Sequence, residues 1–315
     1  MTWGAFAVVA NTVSPSGCAA YTYTLHSFLP YLRQPWYQFS EQQIDDPELN
    51  GGTHPAFPFL TGHGGSLQIG LFSFLGIRTD RETLYFSPSL PPQIPHLKVR
   101  KFYHGDATFH ATMNGTHTNL TSTHETPILV ANDDSDTPTK HTLKANETLT
   151  IANRLYFQKN TYEDNILQCL PVTSDEDYAA GQLPVGLNDG ATATAWQPQT
   201  QELTRITVNT SSVAPQKVKG IHFDFGTRPV KSATVWFYNV TDGVRSGSTI
   251  AVDSVKANAK DQDPKNPVPV KGNTTTMAIP EKLNLWTGEF VELTVQGCEG
   301  CDGSKGATIS EFVVY

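Results

Sequence analysis

Pro88, Pro91, Pro92 and Pro95 crowd one short stretch, "SPSLPPQIPHL", and no helix can run through it. Each proline ring fixes φ and removes a backbone N–H. The chain on either side carries different periodicities. Before the break, Ala20, Tyr23, Leu25, Phe28 and Leu29 fall close to an i, i+3, i+4 repeat, which predicts a helix. Leu67, Ile69, Leu71, Phe72, Phe74, Leu75 and Ile77 are apolar almost all round, which predicts a second helix buried on every side. Two or three such helices cannot enclose a core, so this block calls for more helices than it contains. After the break come short alternating runs, "LKVRKFYH", "ATFHATMN", "PILVAND" and "HTLKANETLTIANRL", the pattern of a β-sandwich. The acidic, Pro/Gly-punctuated "PVTSDEDYAAGQLP" makes a second break, and "ELTRITVNT", "KVKGIHFDFG", "SATVWFYNV", "FVELTVQG" and "ATISEFVVY" then predict another all-β domain. The expected division is helical 1–80, β-sandwich 81–170, linker 171–182 and β-domain 183–315.

The formal net charge of -8 argues against a nucleic-acid partner, because neutralising phosphates needs a basic footprint. No apolar run reaches the roughly 18 to 20 residues of a membrane span, so no membrane partner is expected. Sequons begin at Asn114, Asn119, Asn146, Asn209, Asn239 and Asn273, and six of them favour passage through the secretory pathway with glycan at these positions. Yet "MTWGAFAVVANTV" has no Lys or Arg before its apolar run and is not a signal peptide in pattern. The expectation is therefore the back part of a longer secreted protein, with an internal first methionine. Of the four cysteines, Cys298 and Cys301 in "GCEGCDG" predict a small-loop disulfide, and Cys18 reads as a structural thiol. A single CxxC does not make a zinc ribbon.

"NGGTHPAFPFLTGHGG", residues 50–65, leads into "SLQIGLFSFLGIR", read as the helix. Such a loop is either a plain strand-to-helix connection or a ligand-holding loop at a helix start, where free backbone N–H groups meet an anion or hydroxyl. Together with "QPWYQFSEQQIDD" before it, the stretch resembles the late catalytic region of fungal acid trehalases in family 65 of the glycoside hydrolases. "PPQIPHLKVRKFYHG" resembles the link from their helical barrel into a β-sandwich, and "LNDGATATAWQP", "KGIHFDFG" and "ATVWFYN" resemble their discoidin-like terminal domain. The stretches occur in the family's order and cover nearly the whole chain.

The resemblance implies a multidomain, mainly β architecture: the tail of an (α/α)6 barrel, a β-sandwich, then a discoidin-like (galactose-binding-like) β-sandwich. It implies an α,α-trehalase that hydrolyses trehalose to glucose with inversion, in the extracellular space, cell wall or vacuole. Most of the family's barrel, including the segment with the general acid, is missing, so the isolated chain is expected to be inactive and to need that N-terminal part as its partner. Cell-wall glycan is a candidate partner of the terminal domain. There, Asn188, Asp189 and Gly190 read as a turn and the following Trp196 as core or, alternatively, as a sugar contact. The competing readings are a disaccharide phosphorylase fragment of the same family and a non-enzymatic, secreted glycan-binding β-protein.

Inversion needs one carboxyl to protonate the leaving oxygen and another to deprotonate water on the opposite face, about 6.5–9.5 Å away. The early acids are Glu41, Asp45, Asp46, Glu48 and Asp80. Glu41 lies in "PWYQFSEQ" among Trp36, Tyr37 and Phe39, whose faces suit sugar C–H surfaces and whose packing raises a carboxyl pKa. It is the expected general base; the bland alternative is a surface glutamate. Asp45 and Asp46 precede a proline and read as solvated or capping residues. Trp36, His54, Thr61, Gly62, His63, Gly64 and Gly65 are the expected substrate contacts, the glycines and Thr61 through their backbone. His54 and His63 otherwise satisfy nearby carbonyls. They are not spaced as a metal set, and neither a catalytic metal nor a cofactor is expected.

Overall fold

The computed structural model describes residues 3–14, 17–79, 83–132, 135–154, 160–253 and 274–315. The chain is mainly β and divides into two compact units, Met1–Lys159 and Asn160–Tyr315.

The first unit opens with α1 (Trp3–Val13) and α2 (Gly17–Phe28), then a small hairpin, β1 (Leu32–Arg33) and β2 (Gln38–Phe39). A long loop leads to α3 (Leu60–Gln68), which runs on into a π-helical turn, Ile69–Phe74. Buried polar bonds tie these helices together. The Asn11 amide donates to the Ser73 and Ser89 carbonyls at 2.8 and 2.9 Å, and the Ser73 hydroxyl donates to the Ala7 carbonyl at 2.9 Å. Gly4 lies so close to α3 that a Cβ there would sit 3.1 Å from the Gly65 carbonyl oxygen.

Two sequence expectations are corrected here. The helix begins at Leu60, so Thr61, Gly62, His63, Gly64 and Gly65 are helical rather than loop residues. The apolar helix is also one-sided: Ile69, Phe74, Leu75 and Ile77 are buried, but Leu67 is 77% exposed. Its outer face lacks the neighbours that an all-round apolar pattern calls for.

The same unit continues through β3 (Leu84–Phe86), β4 (His96–His104), β5 (Ala107–Asn114), β6 (His117–Ser122), β7 (Thr126–Asn132), β8 (Ser135–Leu143) and β9 (Thr148–Ala152). One antiparallel sheet has the order β4-β5-β6-β9; the other, β3-β7-β8, contains a parallel β3–β7 pair. Alternation decides the faces, as the period of two requires: Ala107, Phe109, Ala111 and Met113 point inward from β5. The Phe86 ring meets Phe102 and Phe109 across the two sheets, at 6.2 and 6.4 Å between centroids.

The second unit is built from β10 (Val172–Ser174), β11 (Thr204–Asn209), β12 (Gly220–Asp224), β13 (Val230–Thr241), β14 (Val244–Asp253), β15 (Thr274–Ala278), β16 (Phe290–Cys298) and β17 (Glu311–Val314). A five-stranded sheet, β10-β11-β16-β13-β14, faces a three-stranded sheet, β15-β12-β17. Val208, Val235 and Leu293 from the first share one core with Ile221, Phe223 and Phe312 from the second. Val172–Ser174, inside the stretch read as a linker, pairs antiparallel with β11 as an edge strand. Cys298 and Cys301 form a disulfide, closing a turn with Gly300 at φ +65°. No cysteine is a free thiol, which overturns the reading of Cys18 as one.

Candidate functional site

The loop between β2 and α3 carries the candidate catalytic acid, and Arg33 organises it. The Arg33 guanidinium donates to Asp45 through Nε at 2.5 Å and Nη2 at 3.0 Å, and to the Gln42 and Gln43 carbonyls at 2.8 and 3.0 Å. The Ser40 hydroxyl adds a bond to Asp45 at 2.6 Å. The Arg33 hydrogen bond, with help from Ser40 and the guanidinium charge, holds the Asp45 carboxyl below its ordinary range against the opposing effect of burial. Asp45, read from the sequence as solvated or capping, is 46% exposed and anchors an ion pair as well. Asp46 accepts the Glu48 N–H at 2.9 Å, a turn-forming bond.

Glu41 is exposed at the start of this clamped loop, and its carboxylate accepts the Ala56 N–H at 2.9 Å. The Glu41 N–H donates to the Ala56 carbonyl at 3.1 Å, so the two loop ends are laced together here. The aromatic setting read from the sequence does not enclose it: Trp36 is 80% and Tyr37 60% exposed, and Phe39 is buried.

His63 reaches the hairpin. Its Nε2 accepts the Phe39 N–H at 3.2 Å and its ring meets the Phe39 ring edge-on at 4.8 Å. That bond puts the ring proton on Nδ1. In the first turn of α3 the intrahelical bonds start with Gly62 to Phe59 at 3.1 Å, so the Leu60 and Thr61 N–H groups have no intrahelical partner among the described residues. A Cβ on Gly64 or Gly65 would meet nothing within 4 Å, whereas Gly62 is buried. Trp36 and His54 are exposed. The structure therefore gathers Glu41, His63 and the α3 start around one loop, with Trp36 and His54 at its rim. What this can offer a polyhydroxyl ligand is a carboxylate, exposed aromatic area and backbone donors. Asp80 lies outside the described residues, and among the described residues no group of three or more His, Cys, Asp or Glu is placed to hold a metal ion.

The second unit holds a feature the sequence reading missed. Glu311 on β17 is completely buried, and neither carboxylate oxygen accepts a hydrogen bond of normal geometry from the described residues. Burial first, and then the nearby Asp189 charge, push its pKa up to about 9; the Ala191 and Gly190 amides, turned towards it, draw it only partly back. Asp189 is itself buried and accepts the Ala191 N–H at 2.9 Å and the Thr194 hydroxyl at 2.9 Å. Two adjacent carboxyls can be accommodated here only if a proton or a small cation removes the excess charge. The available signal was an acid within the apolar run "ISEFVVY". Trp196 is fully buried, and its backbone pairs with Ile309, which makes it a core residue. Of the sequon asparagines, Asn114, Asn119, Asn146 and Asn239 are exposed and Asn209 is half-buried; Asn273 lies outside the described residues.

The structure defines a mainly β, multi-sheet chain with a small helical segment, and its relatives can be read against that. No family model matches it. Along its whole length the chain matches the C-terminal portion of fungal acid trehalases. An acid trehalase of Emericella nidulans is 36% identical over 100% of this chain and 33% of its own length; a cell wall acid trehalase of Arthroderma benhamiae is 37% identical over 100% and 34%. A cell wall acid trehalase of Candida albicans is 29% identical over 76% of this chain and 24% of its own. The chain thus spans about a third of the curated relatives it matches most fully. Among solved structures, chitosan-binding module 1 from a Paenibacillus chitosanase/glucanase covers 49% of this chain and 99% of its own at 16% identity and TM-score 0.37. A Streptococcus pneumoniae fucose-binding module covers 48% and 97% at 10% identity and TM-score 0.34.

Proposed function

We propose that this chain is the C-terminal part of a secreted, cell-wall or vacuolar acid α,α-trehalase of glycoside hydrolase family 65, which hydrolyses trehalose to glucose with inversion. Glu41 is the general base, and the general acid stands on a preceding helical segment. The helices α1 to α3 are the tail of an (α/α)6 barrel, and the second unit is a discoidin-like sandwich that meets cell-wall glycan. The finer division, with boundaries near residues 80, 170 and 183, belongs to the same reading, as do glycans on the exposed sequon asparagines.

The observation that carries this reading is the uncovered apolar surface of the helical segment. Phe6, Val9, Val13, Leu29, Leu60 and Leu67 are each at least half exposed, from 50% at Phe6 to 77% at Leu67. Apolar helix faces of this kind are stable when other helices cover them. Relatives about three times as long, similar over this entire chain, supply a source for that cover. A pocket missing most of its wall and its acid would lose about 10²–10⁴ in rate from the acid alone. The test is glucose release from trehalose by residues 1–315 alone and by the same residues joined to the preceding segment. Activity only in the joined protein is expected; full activity of residues 1–315 alone would overturn the reading.

A further inference from the structure

We propose that the outer face of the five-stranded sheet in the second unit is a binding platform for a neutral oligosaccharide. The proposal rests on the reading of that unit as glycan-handling, and adds the place and the chemistry.

Strand register builds the face. Thr173, Thr207, Glu292, Trp236 and Thr249 lie in one row across β10, β11, β16, β13 and β14. The next row on the same face contains Asn209, Phe290 and Tyr238. The alternate residues, such as Val208, Val235 and Leu293, point into the core, so the row chemistry is free of packing duty inside the sandwich. What the face carries is unusual for an outer sheet surface. Glu292 is only 5% exposed, yet it lies between Arg245 Nη1 at 3.2 Å and Arg205 Nε at 3.7 Å. Arg205 also reaches Asp175 at 3.4 Å. The two arginine side chains are 49% and 53% exposed, so their remaining N–H groups face solvent. These residues line a groove of about 310 Å³. Beside it, Trp236 and Tyr238 lie 4.4 Å apart, Tyr238 and Phe290 5.3 Å apart, and the Arg245 guanidinium is 5.2 Å from the Tyr238 ring centroid.

The charge balance selects the ligand class. Two guanidiniums face two carboxylates, so the groove has no net charge with which to hold a polyanion. Fixed donors beside fixed acceptors match adjacent sugar hydroxyls, each of which donates and accepts. Tyr238 is only 3% exposed and backs the cluster, so the aromatic surface open to the apolar C–H face of a sugar ring is that of the half-buried Trp236 and Phe290. The groove volume is at the lower end for small-ligand sites, consistent with one or two sugar units of a longer chain.

The test uses the whole 315-residue chain with two neutral polysaccharides, laminarin and yeast mannan, and with dextran sulfate as the anionic probe, by affinity electrophoresis and titration calorimetry. Binding to a neutral polysaccharide is expected. Arg205→Met with Arg245→Met, which keeps the stems and removes the donors, should weaken it at least tenfold at an unchanged melting temperature. Trp236→Phe should abolish the ligand-induced change in tryptophan emission. Neutral-glycan binding that survives the double substitution would overturn the site and leave the glycan reading intact. No binding to either neutral polysaccharide would overturn both, and preference for dextran sulfate would overturn the neutral ligand class. If the double variant fails to melt cooperatively, the Trp236→Phe response decides: an unchanged emission response sinks the proposal.

Discussion

Asp45 is held by Arg33 through two nitrogens, at 2.5 and 3.0 Å, and that pairing separates it from Glu41 four residues earlier. The carboxylate committed to a guanidinium shapes the loop; the one that accepts only a backbone N–H remains available to a ligand.

The pair should show in the pH dependence of stability. The Asp45 pKa is depressed on folding, so its contribution is present above the unfolded value of 3.8 and is lost as pH falls through the lower folded value. Asp45→Asn should destabilise by no more than about 1 kcal/mol above that range, because the carboxylate is 46% exposed and solvent screens the pair. Below it the loss should vanish. Thermal melts of both proteins at pH 6 and near pH 3 measure this, and an equal loss at both would contradict the ion-pair account.

Two buried groups should make the units respond to acid in opposite directions. His26 is buried against Trp3, at 4.9 Å between rings, and neither ring nitrogen has a hydrogen-bond partner among the described residues. Burial lowers its pKa from 6.5 to about 4, so the first unit loses stability as pH falls from about 6.5 towards 4. Glu311 goes the other way. Its folded pKa near 9 lies above the ordinary 4.5, so its contribution is fully present below 4.5 and is lost as pH rises towards 9. Calorimetry of the chain at pH 4.5 and 8 should show Glu311→Gln flattening the alkaline loss and His26→Phe flattening the acid loss. A calcium-dependent rise in stability at pH 8 that Glu311→Gln removes would identify a cation, rather than a proton, as the neutralising partner.

Gly76 stands where only glycine fits. Its φ is +61°, and a Cβ would lie 2.2 Å from the Ser87 carbonyl oxygen. Backbone meets backbone here, and no side chain can swing aside. Gly76→Ala should cost at least about 2 kcal/mol, from positive-φ strain plus overlap. Denaturant midpoints measure it; a loss under about 0.5 kcal/mol would show that the Ser87 segment yields freely.

The strands were legible and the glycine segment was not, for one physical reason each. In β5 every second residue is buried, and a period of two survives in sequence because one face alone meets the core. Gly62, Gly64 and Gly65 read as loop because helix propensity disfavours glycine. In the structure they are helical all the same: a Cβ on Gly64 or Gly65 would meet nothing within 4 Å, and the close approach here belongs to Gly4, whose Cβ would lie 3.1 Å from the Gly65 carbonyl oxygen. Glu41 was legible as a candidate from its aromatic neighbours, although Trp36 and Tyr37 turn out to be exposed. Glu311 was not, because its partner Asp189 lies far away along the chain and only the fold brings them together.

The sharpest test of the site is Glu41→Gln in the complete enzyme. If Glu41 removes a proton from the attacking water, Gln keeps the shape and can still accept the Ala56 N–H through its amide oxygen, but cannot take up the proton. The turnover number should fall by about 10²–10⁴. KM should change little, because a general base acts mainly in the transition state. A surface glutamate predicts almost no change in either. Turnover of trehalose near the unsubstituted level would remove Glu41 from the mechanism and move the search to Asp46 and Glu48, Asp45 being already committed to Arg33. A variant with a lost melting transition would point to the loop lacing between Glu41 and Ala56 as the source of the defect. In that case Glu41→Asp, which keeps the carboxylate but shortens its reach, decides. Recovery of the fold without recovery of turnover is the result expected of a base whose position matters.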